Sequence, residues 1–532
     1  MKKKVMSGDS QKVAKTASPV KTEKKGFFLT RIPYRWAHVA MVVLIFAFCT
    51  IVYGDVFQRA QQECYVSTQS ENMTYVMRLP FGEFYWAMRF AMLVFKNVWL
   101  GGALLTVLLV GSACLLSRAI GLSRQWKLLS FLPALCVLAY FVWRGARVYF
   151  LDEPSLVIGL PIILFIVAAL CAIIMSFVRK KQTLAQQKYA HWLSLVLAFI
   201  ASGLLIGSTY VFRQNDVLCA RMQNRLLKSD WEGIINDALS ADRGSRPVAA
   251  YYAIALVQQN QLLERLFDFA FDYPQDGIDL GEKGQSEAGL YEADCNFYAG
   301  LINSSYRSAM DRHVMMGPSI YVYKRMLLCA IMNEETDLAK RYLKALKAVP
   351  FEGDFVAQCE ELIQFPELIE QNDEFKKVKQ LAPLESNYEQ RYRRPVFLGY
   401  NVGLSYGSDQ TLITSIASTL YSKDLNRFIN MALVLRQKSG GKLPPVVRQA
   451  IMIFSMKNDE VKKVFPEVCN DQVLASSFQA FVSQARPFLK DKAELRKQLK
   501  ENWLGSYFYY YYCENNEPYQ VRKPESSTGG VN

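Results

Sequence analysis

Five long apolar runs, separated by polar connections, dominate the first 212 residues of the chain. A helix of about 20 apolar residues is long enough to cross the hydrocarbon core of a bilayer. None of the five runs has a charged residue at its centre, so each is predicted to be a membrane-spanning helix. The predicted bounds are 36–53, 97–116, 127–143, 155–178 and 190–212, and the third run is the shortest.

The segment 79–96, directly before the second run, is also apolar, but it carries Glu83 and Arg89 among many aromatic residues. This mixture predicts an amphipathic helix that lies in the membrane interface rather than crossing the bilayer. Two interpretations remain open. The helix either forms a groove or lipid-contact element beside the bilayer, or it simply anchors the fold at that depth.

Residues 213–532 show apolar positions at helical spacing nearly throughout. The clearest unit is 318–348, where two helices of about twelve residues joined by a short turn resemble a tetratricopeptide hairpin. A single long helix is predicted over 287–315. Further helix pairs are predicted at 230–259, 409–437 and 444–468. Because the pairs are irregularly spaced, we predict an α-solenoid or tetratricopeptide-like domain with degenerate repeats. The fold class is therefore all-α, a multispan membrane block followed by a helical-repeat domain.

The distribution of charge predicts how the chain lies in its membrane. Residues 1–212 carry 23 Lys/Arg and 8 Asp/Glu, and subtraction from the totals of 62 and 48 leaves 39 and 40 for 213–532. All excess basicity thus belongs to the apolar half, which argues against nucleic acid as a partner. The basic residues cluster in the 1–35 tail and in the second-to-third and fourth-to-fifth connections. By the positive-inside rule these parts are cytoplasmic, so 213–532 is predicted to be extracytoplasmic.

This topology predicts a multi-pass protein of the bacterial inner membrane with a periplasmic C-terminal domain. The polar tail, 1–35, contains too few apolar residues to form a core and is predicted to be disordered.

Motifs for catalysis are missing from the sequence. It has three histidines without metal-ligand spacing, eleven cysteines without a CxxC pair, and no phosphate-binding loop or nucleophile-elbow motif. No catalytic, cofactor-binding or metal-binding residue is therefore predicted. One charged cluster is expected at the membrane edge, as a headgroup site, a coupling element or an ion-pair cap on the spans. Its candidate residues are Glu83, Arg89, Arg144, Arg147, Asp152 and Glu153.

Aromatic residues supply the candidate binding surface of the helical domain. Tyr251, Tyr252, Tyr321 and Tyr323 are expected to contribute to it. The aromatic run 503–512 has two interpretations, a docking strip for a partner or the last helix of the domain with its rings packed inward.

Several short stretches resemble a family of uncharacterised multispan membrane proteins from Bacteroidetes. They are Leu263–Phe271, Tyr298–Asn303, Asp337–Phe351, Leu443–Pro445 and Gly505–Tyr510. One departure is Pro80-Phe81-Gly82, where the family has a proline followed by two glycines. The resemblance implies a membrane block joined to a tetratricopeptide-like extracytoplasmic domain, and it implies no activity.

Two hypotheses on function follow. The first is a non-enzymatic scaffold whose periplasmic domain binds protein partners of the cell envelope, with membrane lipids around its spans. The alternative is a membrane enzyme or carrier that acts on a lipid-linked substrate at the outer face. A pocket that gathers the charged cluster favours the alternative, whereas an open groove in the helical domain favours the scaffold.

Overall fold

A computed structural model describes residues 34–123, 126–178, 190–241, 244–271, 278, 287–382 and 408–514. Every regular element within these ranges is helical, which confirms the all-α prediction for the described chain. The tail predicted to be disordered lies outside the described residues, apart from its last two positions.

Five helices are long and apolar enough to cross a membrane, as predicted. The first is completed by a π-helical turn, Phe48–Val52, and the third begins with a 3₁₀ turn, Lys127–Phe131. The second and fourth spans pack closely because Gly111 has no Cβ, which at that position would lie 2.7 Å from the Phe165 ring. The spans are Arg35–Val52, Val98–Ile120, Lys127–Arg144, Leu156–Phe177 and Trp192–Phe212. Together with their connections they form the membrane block.

Short helices connect the first two spans. They are Gly54–Gln62, Thr74–Met77 and Gly82–Met92, the last followed by a 3₁₀ turn at Leu93–Lys96. Gly82–Met92 lies within the 79–96 segment predicted to be interfacial, and it is called the interfacial helix after that prediction. Its exposed aromatic residues are Trp86 and Phe90, whereas Phe95 is buried.

The rest of the described chain, residues 213–514, forms the helical domain. All four predicted helix pairs are present, and the clearest is Ile320–Met332 with Thr336–Lys347. The α-helices before the gap at 383–407 are Gln214–Leu226, Trp231–Leu239, Arg246–Gln258, Leu262–Arg265, Glu292–Tyr298, Ile302–Met316, Ile320–Met332, Thr336–Lys347, Gly353–Gln364, Leu368–Gln371 and Asp373–Leu381. Those after it are Asp409–Tyr421, Leu425–Lys438, Pro445–Ser455, Asp459–Val464, Pro466–Cys469, Gln472–Ala485, Lys492–Trp503 and Tyr507–Cys513.

The terminal aromatic run packs inward, so its interpretation as an exposed docking strip is wrong for most of its rings. Tyr507, Phe508, Tyr509 and Tyr510 are all buried. The Tyr510 ring contacts that of Phe267, with centroids 4.6 Å apart, and such aromatic pairs stabilise a core beyond the area they bury. The run therefore closes the last part of the domain.

The single helix predicted over 287–315 is wrong, because the chain turns at Gly300. Glu292–Tyr298 ends just before this glycine, and Ile302–Met316 starts as a separate helix two residues after it. Gly300 has φ +82°, and a Cβ on it would lie 2.4 Å from the backbone carbonyl carbon of Leu381. Only glycine fits both this backbone conformation and this approach of a second chain segment.

We expect Gly300→Ala to lower the free energy of unfolding by about 2–5 kcal/mol, because it combines an unfavourable φ with backbone overlap. Denaturant titration of the detergent-solubilised protein measures the change. Gly353→Ala is the matched control, since its Cβ meets nothing within 4 Å, and it should change stability by less than about 1 kcal/mol. Equal losses of stability for the two substitutions would contradict the role assigned to Gly300.

Candidate functional site

The membrane block and the helical domain meet along the helix Gly54–Gln62. This helix packs against Gln214–Leu226, the first helix after the fifth span. Arg221 Nε lies 2.8 Å from Asp55 Oδ2, and Asn224 Nδ2 donates to the Asp55 carbonyl at 2.9 Å. Further along, the Thr68 N–H donates to the Ala348 carbonyl at 2.9 Å. The helical domain is therefore held by polar contacts as well as by the chain connection.

A buried carboxylate, Glu63, lies at the centre of this junction between two arginines. Arg59 Nη2 is 2.7 Å from Glu63 Oε1, and Arg312 Nη2 is 3.0 Å from Glu63 Oε2. All three side chains are nine-tenths or more buried. Arg312 also donates to the Tyr149 carbonyl at 3.1 Å, so a helix of the domain is bound to the connection between the third and fourth spans. Such a buried ion group is stable only while every charge keeps its partner.

Asp294 forms a second buried polar centre beside the first. Its carboxylate accepts from the Tyr251 and Tyr321 hydroxyls, each at 2.9 Å, and pairs with Arg325 Nη2 at 2.6 Å. The Arg59 guanidinium lies 3.9 Å from the centroid of the Tyr321 ring. The two centres therefore contact each other through a cation–π interaction.

This arrangement corrects the expected surface role of the tyrosines. Tyr251, Tyr252 and Tyr321 are buried, and only Tyr323 is partly exposed. The Tyr252 hydroxyl donates to the Arg265 carbonyl at 2.6 Å, and the Tyr323 ring packs on Tyr65 at 5.1 Å. A tyrosine is apolar along its ring and polar at its tip, so it can be buried wherever the tip finds a partner.

A cleft of about 210 Å³, here called the outer cleft, opens between the membrane block and the helical domain. Pro154 lines it, two residues before the fourth span begins at Leu156, so the cleft lies at the end of that span. Met315 and Met316 form part of its wall. Its charged lining residues are Glu63, Arg89, Asp152, Glu153 and Arg312.

Ion pairs hold the charged wall in place. Arg89 binds Glu153 through two contacts, Nε to Oε1 at 2.8 Å and Nη2 to Oε2 at 2.7 Å. Arg144 binds Asp152 in the same bidentate way, with Nε 2.8 Å from Oδ2. The Tyr75 hydroxyl accepts from Arg89, and burial raises the pKa of Tyr75 to about 12 although the guanidinium opposes the shift. Bidentate pairs of this kind orient both side chains.

Charged groups of both signs line the cleft. Two of them are guanidinium groups, from Arg89 and Arg312, and three are carboxylates, from Glu63, Asp152 and Glu153. Each of the two arginines pairs with a carboxylate, Arg89 with Glu153 and Arg312 with Glu63. Arginine also binds phosphate oxygens well, so these two guanidinium groups are the candidates for binding an anion in the cleft.

The structure brings together four of the six residues that we predicted at the membrane edge. Arg89, Asp152 and Glu153 line the outer cleft and Arg144 pairs with one of them. In the described chain, Glu83 is exposed and Arg147 is partly buried, and neither is a lining residue. Sequence reasoning missed Arg59, Glu63 and Arg312. The four-residue spacing of Arg59 and Glu63 was an available signal, but nothing in the sequence indicated Arg312.

Neither metal ligands nor disulfides appear in the described parts of the chain. No group of three His, Cys, Asp or Glu side chains there is close enough to hold a metal ion. All eleven cysteines are free thiols, and Cys295 and Cys329 are buried as predicted. Burial raises the pKa of Cys219 to about 12, so its thiol stays protonated at neutral pH.

One protein family matches the chain. The model of a family of unknown function, DUF6057, matches residues 140–514, which is well over half of the sequence. The chain belongs to DUF6057. The match includes Arg144 and the cleft residues Asp152, Glu153 and Arg312, whereas Glu63 and Arg89 precede it. No curated protein and no solved structure matches the chain. Membership in DUF6057 therefore adds no activity, and function has to be argued from the site.

We expect Glu63→Gln to lower the free energy of unfolding by about 3–5 kcal/mol, because Arg59 and Arg312 then lose their shared buried counter-charge. Denaturant titration in detergent measures the loss. Asp311→Asn provides the control, since Asp311 pairs with Arg307 and both side chains are largely exposed. That substitution should change stability by less than about 1 kcal/mol. A Glu63→Gln protein as stable as the control would rule out the central role of Glu63.

Proposed function

We propose that this protein is a non-enzymatic scaffold of the bacterial inner membrane that binds a phosphate-bearing lipid headgroup in the outer cleft. In this proposal the N-terminus lies in the cytoplasm and the helical domain, with degenerate tetratricopeptide-like repeats, lies in the periplasm. Support for the orientation comes from the basic residues of the tail and of the second-to-third and fourth-to-fifth connections.

The observation that carries the proposal is the position of the outer cleft together with the two guanidinium groups in its lining. Arg89 and Arg312 both line the cleft, and arginine binds phosphate oxygens well. Pro154 lies in the lining at the end of the fourth span, and lipid headgroups lie at the ends of membrane spans. Met315 and Met316 add an apolar wall for the part of a lipid next to its phosphate.

The same cleft also supports the alternative, an enzyme or carrier that acts on a lipid-linked envelope substrate. The observation in its favour is that Arg89, Asp152 and Glu153 gather in one cleft rather than lying apart. Both functions require a lipid-linked phosphate in the cleft. They differ in whether the bound molecule is released unchanged.

Filling the cleft tests the proposal without breaking an ion pair. Met316→Trp adds a bulky side chain to the cleft wall, whereas Val473→Trp adds the same side chain at an exposed position of the helical domain that is not part of the described lining. We expect native mass spectrometry of the solubilised protein to show fewer retained phospholipids for Met316→Trp and an unchanged number for Val473→Trp.

Two results would overturn this function. One is equal phospholipid retention by the two variants. The other is equal protection of the wild-type protein against thermal unfolding by inorganic phosphate alone and by a short-chain phospholipid, since this would indicate a site for a free anion.

Recruitment of envelope proteins by the helical domain is the second part of the scaffold function. It is favoured by exposed apolar side chains near the C-terminal end of the domain, Val473, Val482 and Leu489. We expect a photo-crosslinker at Val473 to form adducts with envelope proteins in intact cells, identified by mass spectrometry. The same crosslinker at Lys463, an exposed charged position, serves as the control. Equal amounts of protein adducts at both positions would contradict recruitment through these apolar side chains.

A further inference from the structure

The helix Ile302–Met316 ends in an exposed apolar tip. Val314, Met315 and Met316 are consecutive and are 75%, 68% and 38% exposed. Gly317, with φ +83°, follows and ends the helix. Single exposed apolar residues are common on protein surfaces, but three consecutive ones at a helix end favour a covering partner.

The position of this tip indicates what covers it. Met315 and Met316 line the outer cleft together with Pro154, two residues before the fourth span begins. Tyr75 lies 3.5 Å from the Cβ position of Gly317, and its hydroxyl accepts from Arg89 on the interfacial helix. The tip therefore lies beside both the end of a span and the helix predicted at headgroup depth.

A second exposed apolar side chain precedes the interfacial helix. Phe81 is 83% exposed, and it has a left-handed backbone with φ +63°. Such a conformation is unfavourable for a bulky residue and is kept where the surroundings require it. On the helix that follows, Trp86 and Phe90 are also exposed, as expected of an element that lies in the interface.

We propose that Val314, Met315 and Phe81 form a lipid-contact surface that inserts into the outer leaflet next to the spans. The helical domain then contacts the bilayer directly, in addition to its buried contacts with the membrane block. The occupant is lipid rather than protein, because Met315 and Met316 line one cleft with Pro154, at the end of the fourth span. This inference goes beyond headgroup binding, since it requires no ligand in the outer cleft.

Photo-crosslinking in lipid nanodiscs tests this surface on the full chain. Val314 is replaced by p-benzoylphenylalanine, and the adducts are identified by mass spectrometry. Val473 is the matched control, because it is an apolar residue of the same domain, 81% exposed, on a helix that packs against other helices of that domain. We expect phospholipid adducts several times more abundant at position 314 than at 473, and comparable adducts at position 81.

Two outcomes would overturn the lipid assignment. If position 314 forms adducts only with protein, the occupant is a partner protein or a second copy of the chain. If its lipid adducts are no more abundant than those at position 473, the tip is exposed to water instead of lipid. The experiment is repeated with Met316→Trp, which fills the outer cleft. Lipid adducts from position 314 should persist there, so failure of headgroup binding and failure of this surface are distinguishable.

Discussion

The architecture depends on one buried carboxylate. Glu63 follows the first extramembrane helix, and its two oxygens bind Arg59 of the same helix and Arg312 of the helical domain. Neither arginine could be buried here without it, because an isolated charge in a protein interior is strongly destabilising. Through Arg312 and the Tyr149 carbonyl, the contact extends to the connection between the third and fourth spans. The position of the helical domain on the membrane block thus follows from the need to neutralise buried charge.

The same contact determines the chemistry of the outer cleft. Glu63 and Arg312 line the cleft together with the ion pair Arg89–Glu153, and Asp152, which pairs with Arg144, lines it as well. The interaction that joins two parts of the protein therefore also forms part of the cleft wall. This connects the scaffold and the headgroup proposals, since the proposed headgroup would bind where the two parts meet.

Helices whose sequence signal lies within one contiguous segment were predicted well. The five spans follow from run length, and the helix pair at 318–348 follows from apolar periodicity and a short turn. The break at Gly300 was missed because its cause, the backbone of Leu381, is distant in sequence. The tyrosines were misplaced for a related reason. Their burial depends on Asp294 and Arg265, which the sequence does not show to be neighbours.

The sequence by itself determined which segments are apolar enough to enter a membrane and which pair as helices, because hydrophobicity and periodicity are properties of contiguous residues. It also indicated that Arg89, Arg144, Asp152 and Glu153 belong to a membrane edge. Only the tertiary structure decided which of these side chains face one another, and it added Arg59, Glu63 and Arg312. Ion pairing acts over a few ångströms in space, and 249 residues separate Glu63 from Arg312 along the chain.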